Sequence, residues 1–235
     1  MFQKEKVNLF LLPYAGGSGL YYSHWAKSLN SNISLIPLDL PGRGIRFREP
    51  LPNDLEDAMD LVFESVKERF GNLKYGLFGY CIGTTMVYEL YKRILSNNLR
   101  KPDFCVLCAN APPDCQKKDK DFSEQSEEKL IEEWLKSSRI KKEDMEKRKY
   151  LQDMYLAWKS DCVMMDKYVF SEPRCKFDCD FTIISGNRDN VFDRDSIDSW
   201  KQFTTKKCTE FLVDGEHDFL KTNENAIIEI INRII

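Results

Sequence analysis

The sequence predicts an α/β fold in which helices flank a mostly parallel central sheet. Two observations carry that reading. Short apolar runs without polar alternation recur at 7–12, 34–38, 75–78, 105–109, 181–185 and 211–213, and a strand of that kind is buried on both faces, as the strands of a parallel sheet are. Between most of them lie segments whose apolar residues recur at helical spacing. Strands that alternate with helices are joined by crossovers covering both faces of a sheet.

The first strand, 7–12, runs into Pro13-Tyr14-Ala15-Gly16-Gly17-Ser18-Gly19, a loop that leaves backbone N–H groups free and lets a ligand approach closely. A helix containing His24 and Trp25 is expected over 20–29. The second strand, 34–38, is closed by Pro41-Gly42-Arg43-Gly44. Leu55, Ala58, Met59, Val62, Phe63, Val66 and Phe70 give 55–70 the pattern of an amphipathic helix. The strand at 75–78 enters Gly79-Tyr80-Cys81-Ile82-Gly83, after which Met86, Val87, Leu90, Tyr91 and Ile94 continue at helical spacing. Beyond the strand at 105–109 the rhythm breaks, because residues 112–174 contain no strand-like run while charge density rises. Helices are expected there over 123–136 and 142–170. Alternation resumes with 181–185, 196–203, 211–213 and 223–235. The chain therefore reads as one domain, 1–235, that carries residues 112–174 as a helical lid inserted over the sheet. Trp134, Leu135, Met154, Tyr155, Leu156, Trp158, Met164 and Met165 either face a substrate channel or pack that lid against the body.

With 235 residues, 42% of them hydrophobic, the chain can bury a substantial core. A net charge of −3 argues against nucleic acid as the main partner. No basic segment followed by an apolar stretch opens the chain, and no apolar run approaches the roughly 20 residues of a membrane span. A cytoplasmic monomer without membrane association is expected. The eight cysteines are expected as reduced thiols, since a chain this long and apolar needs no staples. Cys105 and Cys108 lie three apart on a strand and so face opposite ways, which disfavours joint ligation of one metal. Cys175 and Cys179 lack a second ligand pair, so no metal is expected.

Gly79-Tyr80-Cys81-Ile82-Gly83, at a strand-to-helix junction, is the context of a nucleophile elbow, with Cys81 where the motif usually carries serine. Glycines two positions either side make steric sense in so sharp a turn. The central side chain is pushed into a cleft at the positive end of the following helix. A nucleophile there needs a base that takes and returns a proton near neutral pH. Of the two histidines, His24 sits in the early helical segment. His217 lies in Asp214-Gly215-Glu216-His217-Asp218-Phe219, between the last strand and the last helix, and loops at the carboxyl ends of parallel strands line the functional crevice. His217 is the expected base. The acid that orients it is expected between nucleophile and histidine in chain order, which selects Asp189 in the turn Gly186-Asn187-Arg188-Asp189. Asp193 and Asp195 read instead as the first turn of a helix, where carboxylates favour the dipole.

Pro13-Tyr14-Ala15-Gly16-Gly17-Ser18, Leu40-Pro41-Gly42-Arg43-Gly44, the elbow, Gly186-Asn187-Arg188-Asp189 and Gly215-Glu216-His217-Asp218-Phe219 follow one another over nearly the whole chain. In that order they resemble the type II thioesterases of nonribosomal peptide and polyketide synthesis. The resemblance implies an α/β-hydrolase fold with a helical lid, an acyl or peptidyl carrier protein as partner, and an acyl thioester substrate held on that partner's phosphopantetheine arm, with no cofactor of the chain's own. It also implies an oxyanion hole from the backbone N–H groups of Ala15 and Ile82. Tyr14 and Tyr80 are the expected substrate contacts. The chain departs from the family at Cys81, usually serine, and at Tyr80, usually histidine.

A cysteine changes the chemistry. The acyl-enzyme it forms is itself a thioester, so its formation from a carrier-bound thioester is nearly isoenergetic and readily reversible, and the thiolate is favoured by an adjacent imidazolium. Hydrolysis of acyl or aminoacyl thioesters is the leading reading. Transfer between carrier thiols through Cys81 is the second, as in cysteine-bearing members of the fold that shuttle aminoacyl groups. A carrier-binding protein without chemistry is the third. Lys136, Arg139, Lys141, Lys142, Lys147, Arg148 and Lys149 form a basic cluster in the lid, fit to steer an acidic carrier protein or simply to be solvated.

Overall fold

A computed structural model describes residues 5–71, 73–115 and 121–235. Six strands form one sheet in the order β2-β1-β3-β4-β5-β6, and every neighbouring pair is parallel. The chain opens on β1 (Val7–Leu12), moves outward to β2 (Ile33–Pro37), and passes through α1 (Leu55–Val66) to the far side of β1, where β3 (Lys74–Tyr80) pairs. From there α2 (Ile82–Ser96) and β4 (Phe104–Cys108) follow. Among the described residues, α3 (Glu127–Ser138), α4 (Lys142–Lys147) and α5 (Lys149–Lys167) are the α-helices between β4 and β5 (Asp180–Gly186). The chain ends through α6 (Arg194–Asp198), β6 (Cys208–Val213), α7 (Phe219–Thr222) and α8 (Glu224–Ile234). This is the α/β-hydrolase arrangement. Within the stretch expected as a lid, residues 116–120 lie outside the described residues.

Because side chains alternate along a strand, each apolar run feeds two cores. In β1, Phe10 and Leu12 point to the side covered by α1 and α2, while Val7, Leu9 and Leu11 point to the side covered by α8. Cys105 and Cys108 of β4 divide in the same way between the two cores, as their spacing predicts. The apolar residues expected to face inward on α1 are buried, and Asp54 caps the helix by accepting the Asp57 N–H at 2.8 Å. On α8, Ile227, Ile228 and Ile231 are buried, each worth roughly 1.5–3 kcal/mol of apolar transfer.

Several expected helices differ: 55–70 is α-helical to Val66 and then turns 3-10, and 196–203 is the end of α6 followed by a 3-10 helix over Ser199–Phe203. The segment expected as a helix over 20–29 is a 3-10 helix, Gly19–Lys27, whose buried residues are Gly19, Tyr22 and Trp25. A spacing of three sets them in one line along the three-residue repeat of the 3-10 form. The helix expected over 142–170 is interrupted at Arg148, which is extended, and ends at Lys167. No residue of α4 is buried, whereas α5 buries Leu151, Tyr155 and Trp158, so apolar contact dictates helix only from the second segment onward. Among the described residues no helix is long and apolar enough to cross a membrane.

Candidate active site

The sheet order reverses between β1 and β3, which lie side by side although β2 and α1 separate them in sequence. A crevice opens at such a reversal, outside the carboxyl ends of the strands. The loop after β1 and the turn after β3 flank it. Pairing of Leu12 with Gly79 sets the first beside the second, and pairing of Gly186 with Val213 sets the Asp189 turn beside the His217 loop.

At Cys81 the backbone takes φ 54° and ψ −123°, the first central position of a type II′ turn and normally glycine territory. A side chain held there costs on the order of 1–3 kcal/mol and persists only where the surroundings over-determine it. Here they do. The Cys81 N–H donates to Cys108 O at 2.9 Å. Its carbonyl accepts the Thr84 N–H at 3.0 Å, the Thr84 hydroxyl at 2.9 Å and the Asn110 side-chain amide at 2.9 Å. The flanking glycines are required by close approach, since a Cβ on Gly79 would lie 2.4 Å from Gly83 O and one on Gly83 would lie 2.5 Å from Leu12 O.

His217 Nε2 lies 3.3 Å from Cys81 Sγ, and His217 Nδ1 lies 2.9 Å from Asp189 Oδ2. Asp189 is 10% exposed and His217 34%, so the carboxylate is sheltered while the imidazole reaches the cleft. The two loops are stapled together, with Asn187 N–H donating to Val213 O at 2.8 Å and Arg188 N–H to Gly215 O at 3.0 Å. Burial favours the neutral imidazole, but the negative charge of Cys81 and the hydrogen bond to Asp189 outweigh it and lift His217 to about 10.

Asp193 caps α6, accepting the Ser196 N–H at 2.8 Å, and His24 bridges Tyr21 O and Glu224. Neither joins the group around Cys81. Tyr80 is 3% exposed; its hydroxyl donates to His217 O at 2.7 Å and accepts the Leu220 N–H at 3.0 Å, so its polar atom braces the histidine loop while its ring borders the cleft. Tyr14 stands edge-on to Tyr80 and Tyr21, and the Lys221 ammonium lies 5.4 Å from its ring centre. Neither Ala15 N–H nor Ile82 N–H has a hydrogen-bond partner among the described residues. For Ile82, the first residue of α2, this is the ordinary state of a helix's first amide.

These groups open onto a cavity of about 690 Å³ roofed by Trp134 of α3, Met154 and Trp158 of α5, and Ile140 between α3 and α4. Of the other apolar residues considered for a channel, Leu135 and Tyr155 pack between those helices, Met164 and Met165 pack against the body, and Leu156 is exposed. A cleft of about 740 Å³ beside α1 and α2 is lined by Asp60, Glu89 and Arg93 and lies away from Cys81. Three site residues escape sequence reasoning. Asn110 is the first polar residue after a fully buried strand, and Asp161 is a charge on the apolar stripe of α5; both are legible only as breaks in a pattern. Arg43, which pairs with Asp161, stands in the Pro41-Gly42-Arg43-Gly44 motif, but nothing in that motif announces its partner.

A strained cysteine at a strand-to-helix turn, within reach of an imidazole that pairs with a sheltered carboxylate, is the arrangement of the α/β-hydrolase class. The thioesterase-domain family model matches residues 7–235. The chain belongs to that family and is a thioester hydrolase. It is 21% identical over 224 residues to the gramicidin S biosynthesis protein GrsT of Aneurinibacillus migulanus, covering 95% of this chain and 87% of that protein. Over 224 residues it is 24% identical to the medium-chain S-acyl fatty acid synthase thioesterase of Rattus norvegicus, covering 93% and 84%. Among solved structures, ClbQ from the colibactin NRPS/PKS pathway superposes with a TM-score of 0.89 at 25% identity, covering 97% of this chain and 96% of that one.

Proposed function

We propose that the protein hydrolyses acyl or aminoacyl groups from the phosphopantetheine arm of a carrier protein, with Cys81, His217 and Asp189 as catalytic triad. The observation that carries this is the 3.3 Å approach of His217 Nε2 to Cys81 Sγ at a strained elbow. The Cys81 thiolate attacks the thioester carbon, and the oxygen that gains charge is received by the N–H groups of Ala15 and Ile82. The C–S bond to pantetheine breaks, and its sulfur takes the imidazolium proton. Acylation removes the thiolate charge that raised His217, so the ring returns toward its ordinary range and becomes a competent base. It then accepts a proton from water as the water attacks the acyl-cysteine, and the product acid leaves as the thiolate–imidazolium pair is restored.

Residues 112–174 act as a lid on a single domain, with Tyr14, Trp134, Met154 and Trp158 contacting the acyl chain. No cofactor of the chain's own is invoked. The setting inferred is a cytoplasmic monomer serving a nonribosomal peptide or polyketide pathway, in keeping with the gramicidin S biosynthesis of GrsT and the colibactin NRPS/PKS pathway of ClbQ. Cys81 favours a second reading beside hydrolysis, because thioester-to-thioester exchange is reversible and a carrier thiol can replace water as acceptor. A purely binding role fits poorly with a nucleophile that is partly exposed and paired to its base. The test loads one carrier protein with a labelled acyl group, adds the enzyme and a second, empty carrier, and follows all three by intact-protein mass. Hydrolysis yields free labelled acid; transfer moves the label to the second carrier; label that stays on the first carrier contradicts both.

A further inference from the structure

The loop after β1 is clasped from two sides by buried carboxylates. On one side Asp39, 5% exposed, accepts the Ser18 hydroxyl and the Gly19 N–H, each at 2.7 Å, and the Ile45 N–H at 3.0 Å. On the other, Asp161 of α5 is fully buried and accepts the Gly16 N–H at 2.7 Å. Both Asp161 oxygens also receive the guanidinium of Arg43, itself 6% exposed. Helix α5 presses on the loop at the same point, since Gly16 has φ +69° and a Cβ there would lie 2.7 Å from Trp158 Cβ.

Stability alone does not call for this pair, because well-packed apolar residues of similar volume serve a buried seam as well or better. A carboxylate can do what they cannot, which is to fix the direction of one amide. The Gly16 peptide adjoins the Ala15 peptide through a single Cα, so holding the first limits the orientation of the second. Arg43 has an equally specific part. A bare carboxylate beside a forming oxyanion would oppose it, and the bidentate guanidinium neutralises that charge. We propose that Asp161 and Arg43 are positioning residues for the thioester reaction: Asp161 orients the Gly16 peptide so that the neighbouring Ala15 N–H points at the substrate oxygen, and Arg43 holds and neutralises Asp161. Since Asp161 belongs to α5, the oxyanion donor is complete only while that helix is seated. The proposal rests on the reading of Cys81 as nucleophile and Ala15 as oxyanion donor.

The test compares wild type with Asp161→Asn and with the double variant Arg43→Met/Asp161→Leu, which leaves no lone buried charge if the single variant folds poorly. Two rates are measured on each. One is kcat, with KM, for a small acyl thioester. The other is alkylation of Cys81 by iodoacetamide, a displacement at a saturated carbon that needs the thiolate but no oxyanion donor. The expected result is a fall in kcat of about 10- to 100-fold, with KM and the alkylation rate each within about threefold of wild type, and circular dichroism unchanged. A folded variant with unchanged kcat, or an alkylation rate that falls in parallel with kcat, overturns the proposal. Failure of the underlying reading is separable, because wild-type enzyme alkylated at Cys81 would then go on hydrolysing the thioester.

Discussion

Cys81 raises the proton affinity of His217. Burial favours the neutral ring, but a negative charge on Cys81 and the hydrogen bond to Asp189 lift the imidazole to about 10, well above its ordinary value, so the imidazolium is lost as pH rises through that value. The rate of acylation should therefore fall on the alkaline side near pH 10. Asp189→Asn removes one of the contacts that keep the proton in place, so its alkaline limb should move to lower pH, read from kcat/KM for a small thioester across the range. An unmoved limb would remove Asp189 from the electrostatics of the pair. Asn110 acts at the same scale, tying Cys81 O to Thr84 and, through its own backbone carbonyl, to the Trp200 indole at 2.8 Å, which helps hold Cys81 in a backbone conformation it would otherwise leave.

The elbow works as an element because β1, β3 and α2 meet with no room for a side chain. Gly83→Ala would set a Cβ 2.5 Å from Leu12 O and 2.8 Å from Pro13 O. Backbone cannot yield as a flexible side chain does, so a loss of about 1–3 kcal/mol is expected in urea unfolding, together with reduced activity from displacement of Cys81. Elements of this kind were legible in the sequence where a local rule governs them. The runs of β1, β3 and β4 are largely apolar because both their faces are buried, with Asn8 and Lys74 as half-buried exceptions, and Cys81, Asp189 and His217 sit in loops that strand order places at one end of the sheet. Legibility fails where the governing contact is distant or the face is exposed. Strand β6 begins at Cys208, before its apolar run, because as an edge strand it is largely unburied and Leu212 is 60% exposed. Arg43 and Asp161 meet across 118 positions, and no period announces such a pair.

At the scale of the molecule, the acidic chain carries a basic surface near the mouth of its cavity. The ion pairs of Arg139 with Asp218, Arg148 with Asp144 and Lys149 with Asp153 occupy part of the cluster. Lys136, Lys141, Lys142 and Lys147 have no carboxylate partner within ion-pair distance among the described residues, and Lys136 borders the cavity itself. Charges of this kind steer an oppositely charged partner and are screened by salt. Reversing these four lysines to glutamate should slow reaction with an acidic carrier protein by about tenfold or more at low ionic strength and leave a small thioester unaffected; equal slowing of both would assign the cluster to structure. The central claim is that the acyl group passes through the sulfur of Cys81, and rapid quenching of enzyme mixed with a labelled acyl thioester, followed by peptide mapping, tests it most directly. The account predicts the acyl mass on the peptide containing Cys81, formed before free acid accumulates and absent with its hydrolysis in Cys81→Ala. Hydrolysis by Cys81→Ala at the wild-type rate, or an adduct on another residue, would contradict it.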